Sequence, residues 1–491
     1  MSAAERRVDV EGVAVSPDHL IGGRRVGSPT TFETRSPTDW SRVLAEVARG
    51  DADTADAAVS AAVEGFAVWS TLTAEERAAH LHRLADLIEA RNDDIAIVET
   101  LDMGFLHESM KERLVARGAT NFRLYADLAR HHEERSWEAR GADHVVQRMP
   151  AGPAVVITPW NAPFMLETWK VAPALAAGNS VVLKPAEWSP LSASLLADLT
   201  VEAGFPPGVF NLVQGIGEEV GAALVADPRV RRITFTGSPE TARHIGRAAA
   251  DNIVPFTAEL GGKGPLVVFA DADLEAAAKM AAAQYDDSGQ VCLAGTRLLV
   301  EESIREPFLE LFHRHVDAHV PGDPRDPATT MAPLVHPDHL ARVEAFVERA
   351  RAAGDRVVRG GHRIGELHYA PTLIEPASNA SEIVQNEVFG PVLTFQTFAD
   401  EDEAVGLANS TRYGLSAIVF TTSRSRAERV GRAIRAGIVW ANTFLVRDLT
   451  APFGGCGISG IGREGGDHAL EFHSDLKTLI IAGGTTVDDR S

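Results

Sequence analysis

The sequence predicts an α/β fold built on a parallel sheet with helices on both faces. Three observations predict it. Short β-branched runs recur at 154–158, 180–184, 209–213 and 232–236. Helix-like stretches separate them, such as 191–203 and 239–250, and this alternation is the pattern of βαβ units. The runs are nearly all apolar, as strands buried on both faces must be.

The other elements follow in order. Residues 19–27 read as a short hairpin turning at Gly22-Gly23. A helix should start after Thr73, because Thr73 and Glu76 form a capping box and Leu81, Leu84, Leu87 and Ile88 then share one face. A second α/β region begins near Glu259, with strand candidates at 297–301, 417–420 and 438–440. The Pro- and Asp-rich stretch 321–333 reads as a loop. The tail at 476–482 is a strand candidate outside both cores, and an exposed terminal strand commonly pairs with another chain. Neither an internal repeat nor a low-complexity segment is evident.

Composition narrows the function. With 491 residues, 45% hydrophobic and 23% charged, the chain suits more than one globular domain. A net charge of −21 and a pI near 5.3 argue against a nucleic-acid partner, which needs a basic face. A few local arginines could still bind a small anion. The opening Met-Ser-Ala-Ala-Glu-Arg-Arg lacks an apolar signal core, and no run is long enough to span a membrane. The expected setting is the cytoplasm, without membrane partners. The two cysteines, Cys292 and Cys456, have no metal-ligand spacing. His313, His315 and His319 do not share a helical face, so no metal is expected.

Chemistry-bearing residues sit at the ends of the strand candidates, where such sheets bind ligands. The run 154–158 leads into Pro159-Trp160-Asn161; the Asn161 amide is either a turn former or an oxyanion donor. Lys184-Pro185-Ala186-Glu187 offers a phosphate contact and a ribose acceptor, or a surface salt bridge. Gly237-Ser238-Pro239 opens a helix, with Ser238 as N-cap and Pro239 in the first turn. That makes an anion site conceivable, although the usual GxGxxG fingerprint is absent. Glu259-Leu260-Gly261-Gly262-Lys263 precedes Gly289-Gln290-Val291-Cys292. A glutamate meeting a cysteine could activate water against a thioester.

Taken together, and in this order, these strings resemble the aldehyde dehydrogenase superfamily from the hairpin near Gly22 to the tail near Lys477. The resemblance implies a Rossmann-like cofactor domain at 1–127 and 149–258. It also implies an α/β catalytic domain at 259–464 and a small β oligomerisation element at 128–148 and 465–491. It implies Cys292 as nucleophile, Glu259 as general base and Asn161 as oxyanion donor, with Lys170 and Glu464 in proton relay or in structural ion pairs. Thr158, Pro159, Trp160, Lys184, Glu187, Gly217, Gly237, Ser238, Leu260, Glu387 and Phe389 match positions that hold NAD, with NADP as the alternative cofactor. The implied reaction runs through a thiohemiacetal and a thioester, with hydride passing to NAD and water releasing the acid. A homodimer or homotetramer is expected.

Two departures stand out. Gly457 replaces the lysine usual after Phe453-Gly454-Gly455, and Asp286-Asp287 stand where the family often carries Asn. A carboxylate facing the sulfur would raise its pKa, so both are expected to point away. The strings Val446-Arg447-Asp448-Leu449 and Arg117-Gly118-Ala119-Thr120-Asn121 resemble those of hydroxymuconic and aminomuconic semialdehyde dehydrogenases. There Arg447 and Arg117 would clamp a substrate carboxylate; the alternative is interdomain salt bridges. A CoA-acylating semialdehyde dehydrogenase would use the same cysteine, but Glu259 argues for water. A non-catalytic protein of the same fold is the other alternative, opposed by Cys292, Glu259 and Asn161 together.

Overall fold

The protein is described by a computed structural model covering residues 6–132 and 134–482. The first five residues of the opening segment, residue 133 and the end of the tail at 483–491 lie outside the described residues.

The apolar runs form one eight-stranded sheet. Its central strands Phe256–Leu260, Arg232–Gly237, Ala154–Ile157, Val181–Lys184 and Phe210–Leu212 are parallel neighbours in that order. The hairpin His19–Ile21/Arg24–Val26 joins antiparallel beyond Phe210–Leu212, and Gly460–Ile461 closes the other edge. Successive residues point to opposite faces. Val181 and Leu183 therefore pack with Leu81, Phe122 and Leu196, while Val182 packs with Val59, Leu224 and Ile245. Helices cover both faces, as the unbroken apolar runs require. The helix Ala74–Ala90 starts with the expected capping box between Thr73 and Glu76.

The strand order reverses between Ala154–Ile157 and Arg232–Gly237. From the first strand the chain moves outward one way, then returns to build the other way. Such a reversal opens a crevice at the carboxyl ends of the two strands. Thr158 to Asn161 leave one of those ends, and Ser238 follows the other.

A seven-stranded sheet forms the second core, in the order Arg356–Arg359, Thr372–Glu375, Val392–Phe398, Arg297–Glu301, Pro265–Val268, Ser416–Phe420 and Ile438–Ala441. Only its first pair is antiparallel. The strand Ser474–Ala482 pairs along its length with Ala142–Pro150 of the same chain, which pairs with Arg135–Ala139. The tail thus finds a partner within the chain. It is also an edge strand of that three-stranded sheet, with Leu476, Leu479, Ile480 and Ile481 exposed.

Candidate active site

Cys292 enters the site through close backbone approaches. Gly289 has φ +67°, and a Cβ there would stand 2.1 Å from the Gly390 carbonyl oxygen. A Cβ on Gly262 would stand 2.4 Å from the Cys292 carbonyl oxygen. Side chains at either position would push the cysteine segment away from both walls. The thiol reaches a cavity of about 210 Å³ that Asn161, Glu259, Leu260, Glu464, Arg117 and Arg447 also line. Distant stretches of sequence therefore meet around one sulfur.

The resting state of these groups is set by burial. The Cys292 thiol is pushed up to about 12 by desolvation, then by Glu387 and Glu259, while Arg447 acts in the opposite sense. Neither oxygen of the buried Glu259 carboxyl has a hydrogen-bond partner. Desolvation, with help from Glu464, raises its pKa well above the ordinary range. Gly454 permits that placement, since a Cβ on it would meet Glu259 Oε1 at 2.7 Å. The Asn161 amide donates to the Gln290 carbonyl at 2.9 Å, which holds it against the cysteine segment.

Behind the cavity, Glu464 accepts from Trp169 Nε1 at 2.8 Å and pairs with the fully buried Lys170. Lys170 also reaches Thr234 Oγ1 at 3.0 Å. Lys170 does not itself line the cavity. The ion pair anticipated for Lys170 and Glu464 is thus present, and they pair with each other.

Arg117 and Arg447 make no salt bridge among the described residues. Arg447 lies 4.0 Å from the Phe453 ring centroid and 5.3 Å from that of Trp169; Arg117 lies 5.1 Å from the Trp169 centroid. Arg447 Nη2 and Arg117 Nε are buried without partners. Burial and the neighbouring Arg447 lower the Arg117 pKa to about 10. Among the described residues these arginines do not form the interdomain salt bridges that were the alternative; both line the cavity with aromatic rings beside them. Trp169 gave no sequence signal beyond standing next to Lys170, and Phe453, although it heads the string Phe453-Gly454-Gly455, gave no sign that it would meet Arg447.

The positions matched to cofactor binding form a second group. Lys184 and Glu187 pair at 3.0 Å, with the lysine buried rather than at the surface, and a Cβ on Gly217 would lie 3.8 Å from Lys184 Nζ. Ser238 caps the helix Pro239–Asp251 by accepting from the Thr241 amide, with Pro239 in the first turn. Thr158 has a buried hydroxyl without a partner. Glu387 accepts from the Gly262 amide at 2.8 Å, and a Cβ on Gly261 would fall 2.0 Å from its Oε2. Phe389, at φ +60°, packs edge-on to Trp160 at 5.4 Å. Pro159 lies between Thr158 and Trp160, and Gly237 leads into Ser238.

The two departures resolve differently. Asp286 turns away to His319 at 2.9 Å. Asp287 lines the cavity wall, but it is not among the charges that shift the Cys292 thiol. Its carboxyl is buried there with Arg113 as its favourable neighbour, and its pKa rises to about 6. Gly457 has φ +61°, and a Cβ there would lie 2.3 Å from the Arg412 carbonyl oxygen. A side chain is strained at this turn as it stands.

The chain is similar to known proteins along nearly its whole length. Residues 25–479 match a family model described as the Aldehyde dehydrogenase family. The chain is 40% identical over 482 residues to a 2-hydroxymuconic semialdehyde dehydrogenase of Pseudomonas sp. (strain CF600), covering 94% of this chain and 99% of that one. It is 41% identical over 478 residues to a betaine aldehyde dehydrogenase of Cereibacter sphaeroides, covering 95% and 97%. Among solved structures it is similar to the P. syringae indole-3-acetaldehyde dehydrogenase AldA in complex with NAD+ and IAA. That match has a TM-score of 0.94 at 38% identity, covering 96% and 98% of the two chains.

Proposed function

The chain belongs to the aldehyde dehydrogenase family, and we propose that it oxidises a carboxylated semialdehyde with NAD, using Cys292 as nucleophile. The observation that carries the substrate reading is the pair of half-buried cations, Arg117 and Arg447, each with a buried unpartnered nitrogen, in the same cavity as the thiol. Two guanidinium groups without carboxylate partners suit an anionic group arriving from solution. The same charges disfavour a cationic substrate such as a betaine aldehyde, despite the similarity to betaine aldehyde dehydrogenases.

In this reading the Cys292 proton passes to solvent and Sγ bonds to the aldehyde carbon. The Asn161 amide turns from Gln290 to the new oxyanion, which the Cys292 backbone N–H also meets. NAD, when bound, supplies the acceptor for the hydride that leaves this carbon. Glu259, once its own proton has passed out to solvent, takes a proton from water, whose oxygen attacks the thioester and releases the acid and the Cys292 thiolate. The unpartnered Glu259 oxygens support this role, and favour water over CoA as the acyl acceptor. Lys170 and Glu464 would pass the proton onward behind Glu259.

The residues present fit the cofactor. The crevice at the strand reversal, the orphaned Thr158 hydroxyl and the cradle that Gly261 leaves beside Glu387 suit a dinucleotide. Lys184 and Glu187 would meet the adenosine ribose, with Gly217 beside them. Gly237 and Ser238 would meet the pyrophosphate. Glu387 would meet the nicotinamide ribose, with Trp160, Phe389, Pro159 and Leu260 shaping the slot. The proposal keeps the domain division at 1–127 with 149–258, 259–464, and 128–148 with 465–491. The exposed edge of Ser474–Ala482 supports a homodimer or homotetramer. Among the described residues no helix is long and apolar enough to cross a membrane. A cytoplasmic setting, where Cys292 stays reduced, belongs to the same proposal.

The test compares Arg447→Ala and Arg117→Ala on a carboxylated semialdehyde, a neutral aldehyde of similar length and betaine aldehyde. Losing one charged hydrogen bond of about 1.5–3 kcal/mol should cost roughly ten- to a hundredfold in kcat/KM on the carboxylated substrate, mostly through KM. The neutral aldehyde should barely respond. Equal losses on all three would make the arginines structural and end the carboxylate reading.

A further inference from the structure

We propose that Trp440, with the left-handed backbone of Leu445, positions Arg447 in the cavity and thereby sets recognition of the substrate carboxylate. This rests on the reading of Arg447 given above. Trp440 is buried in the strand Ile438–Ala441, and its Nε1 donates to the Val446 carbonyl at 2.8 Å. That carbonyl belongs to the peptide unit that continues into Arg447. Fixing its plane fixes the direction in which the Arg447 side chain leaves the backbone.

The loop needs such a fastening. Val446 is 69% exposed and Leu445 38%, so burial does little to hold their backbone. Leu445 has φ +59°, a conformation that a bulky residue keeps only when its surroundings impose it. Hydrogen bonds hold both ends. The Asn442 side chain accepts from the Thr421 amide at 3.0 Å and donates to the Thr421 carbonyl at 2.9 Å. Beyond Arg447, Asp448 Oδ1 accepts from the Thr450 amide at 2.9 Å. Between these anchors the Trp440 bond holds the middle of the loop, and Phe444 packs edge-on against the Trp440 ring at 5.3 Å. Arg447 then reaches the Phe453 face with one nitrogen buried and unpartnered. An arginine fixed in advance loses less freedom on binding than a mobile one, and that difference appears as affinity.

Trp440→Phe keeps a ring against Phe444 and deletes the N–H. We expect KM for a carboxylated semialdehyde to rise about tenfold, with kcat and the kinetics of a neutral aldehyde within about twofold. In an Arg447→Ala background the same change should add nothing. Leu445→Ile keeps the atom count but is β-branched and resists a positive φ; it should show the same selective KM loss. Leu445→Asn tolerates that φ and should keep the preference for the carboxylated substrate. Equal weakening of both substrates by Trp440→Phe, additivity with Arg447→Ala, or an unaltered Leu445→Ile would each overturn the inference. If Arg447→Ala discriminates between substrates and Trp440→Phe does not, the positioning role alone fails. If Arg447→Ala does not discriminate, the substrate reading beneath it fails as well.

Discussion

Replacing Glu259 with Gln separates chemistry from stability. The carboxyl is buried, has no hydrogen-bond partner and holds its proton well above the ordinary carboxylate range, chiefly through desolvation. As the proposed base for water, its loss should slow deacylation by about a hundred- to ten-thousandfold. Hydride transfer precedes that step and should survive. Rapid mixing of Glu259→Gln with NAD and aldehyde should give a burst of NADH absorbance followed by little turnover. A variant that folds but shows no burst would place Glu259 before acylation and refute the assignment.

The stability arm has a definite sign. The folded pKa is raised, so between the ordinary value of 4.5 and the folded value the native state binds more protons than the unfolded chain. Stability therefore falls as pH rises through that window, by about 1.4 kcal/mol for each unit of separation. Glutamine cannot ionise, so Glu259→Gln should lose less thermal stability than the parent as pH rises above the ordinary value. Parallel curves would mean that Glu259 is ionised in the native cavity, against the desolvation argument.

Further outcomes follow from other residues. Cys292→Ala should abolish aldehyde oxidation while calorimetry still detects NAD binding; comparable turnover would displace Cys292 as nucleophile. NAD should be preferred to NADP because the Glu187 charge would repel a 2′-phosphate. An equal kcat/KM with NADP would mean that Glu187 leaves Lys184 to take the phosphate. Gly457→Lys should lower the unfolding temperature, since left-handed backbone costs a side chain about 1–2 kcal/mol and the Arg412 carbonyl blocks its Cβ. An unchanged melting curve would show that the loop rearranges freely.

The fold was legible where burial leaves the sequence no choice. The central strands are buried on both faces, so they read as unbroken apolar runs. The antiparallel pair Thr31–Ser36 and Asp39–Ala48 carries mixed polar and exposed residues instead, and nothing in its pattern announces it. At the site, Cys292, Glu259 and Asn161 stand in strings whose order betrays them. The aromatic support of Arg447 does not. Trp169 lies on the helix Pro163–Ala176 and Phe453 on a distant loop, and only the tertiary fold brings them to the same guanidinium. Asp286 and Asp287 leave the backbone in different directions, one to His319 and one to the cavity wall, and spacing alone does not say which goes where.

The charge balance of the cavity explains why two arginines suit the proposed reaction better than one. The chain carries a net −21, yet beside the sulfur burial raises the pKa of both Glu259 and Cys292 and so disfavours their anionic forms. Arg117 and Arg447 are left as cations that disfavour one another. That mutual repulsion is a standing cost, and an arriving carboxylate relieves it. Arg447 also favours the Cys292 thiolate, so a lone arginine spent wholly on the carboxylate would withdraw support from the nucleophile when attack begins. With a second guanidinium beside it, a single anion leaves one positive charge uncompensated. Low-dielectric surroundings strengthen that remaining field, and it acts on the thiolate and then on the oxyanion. Recognition of the distant carboxylate and activation of the sulfur thus draw on the same pair of charges.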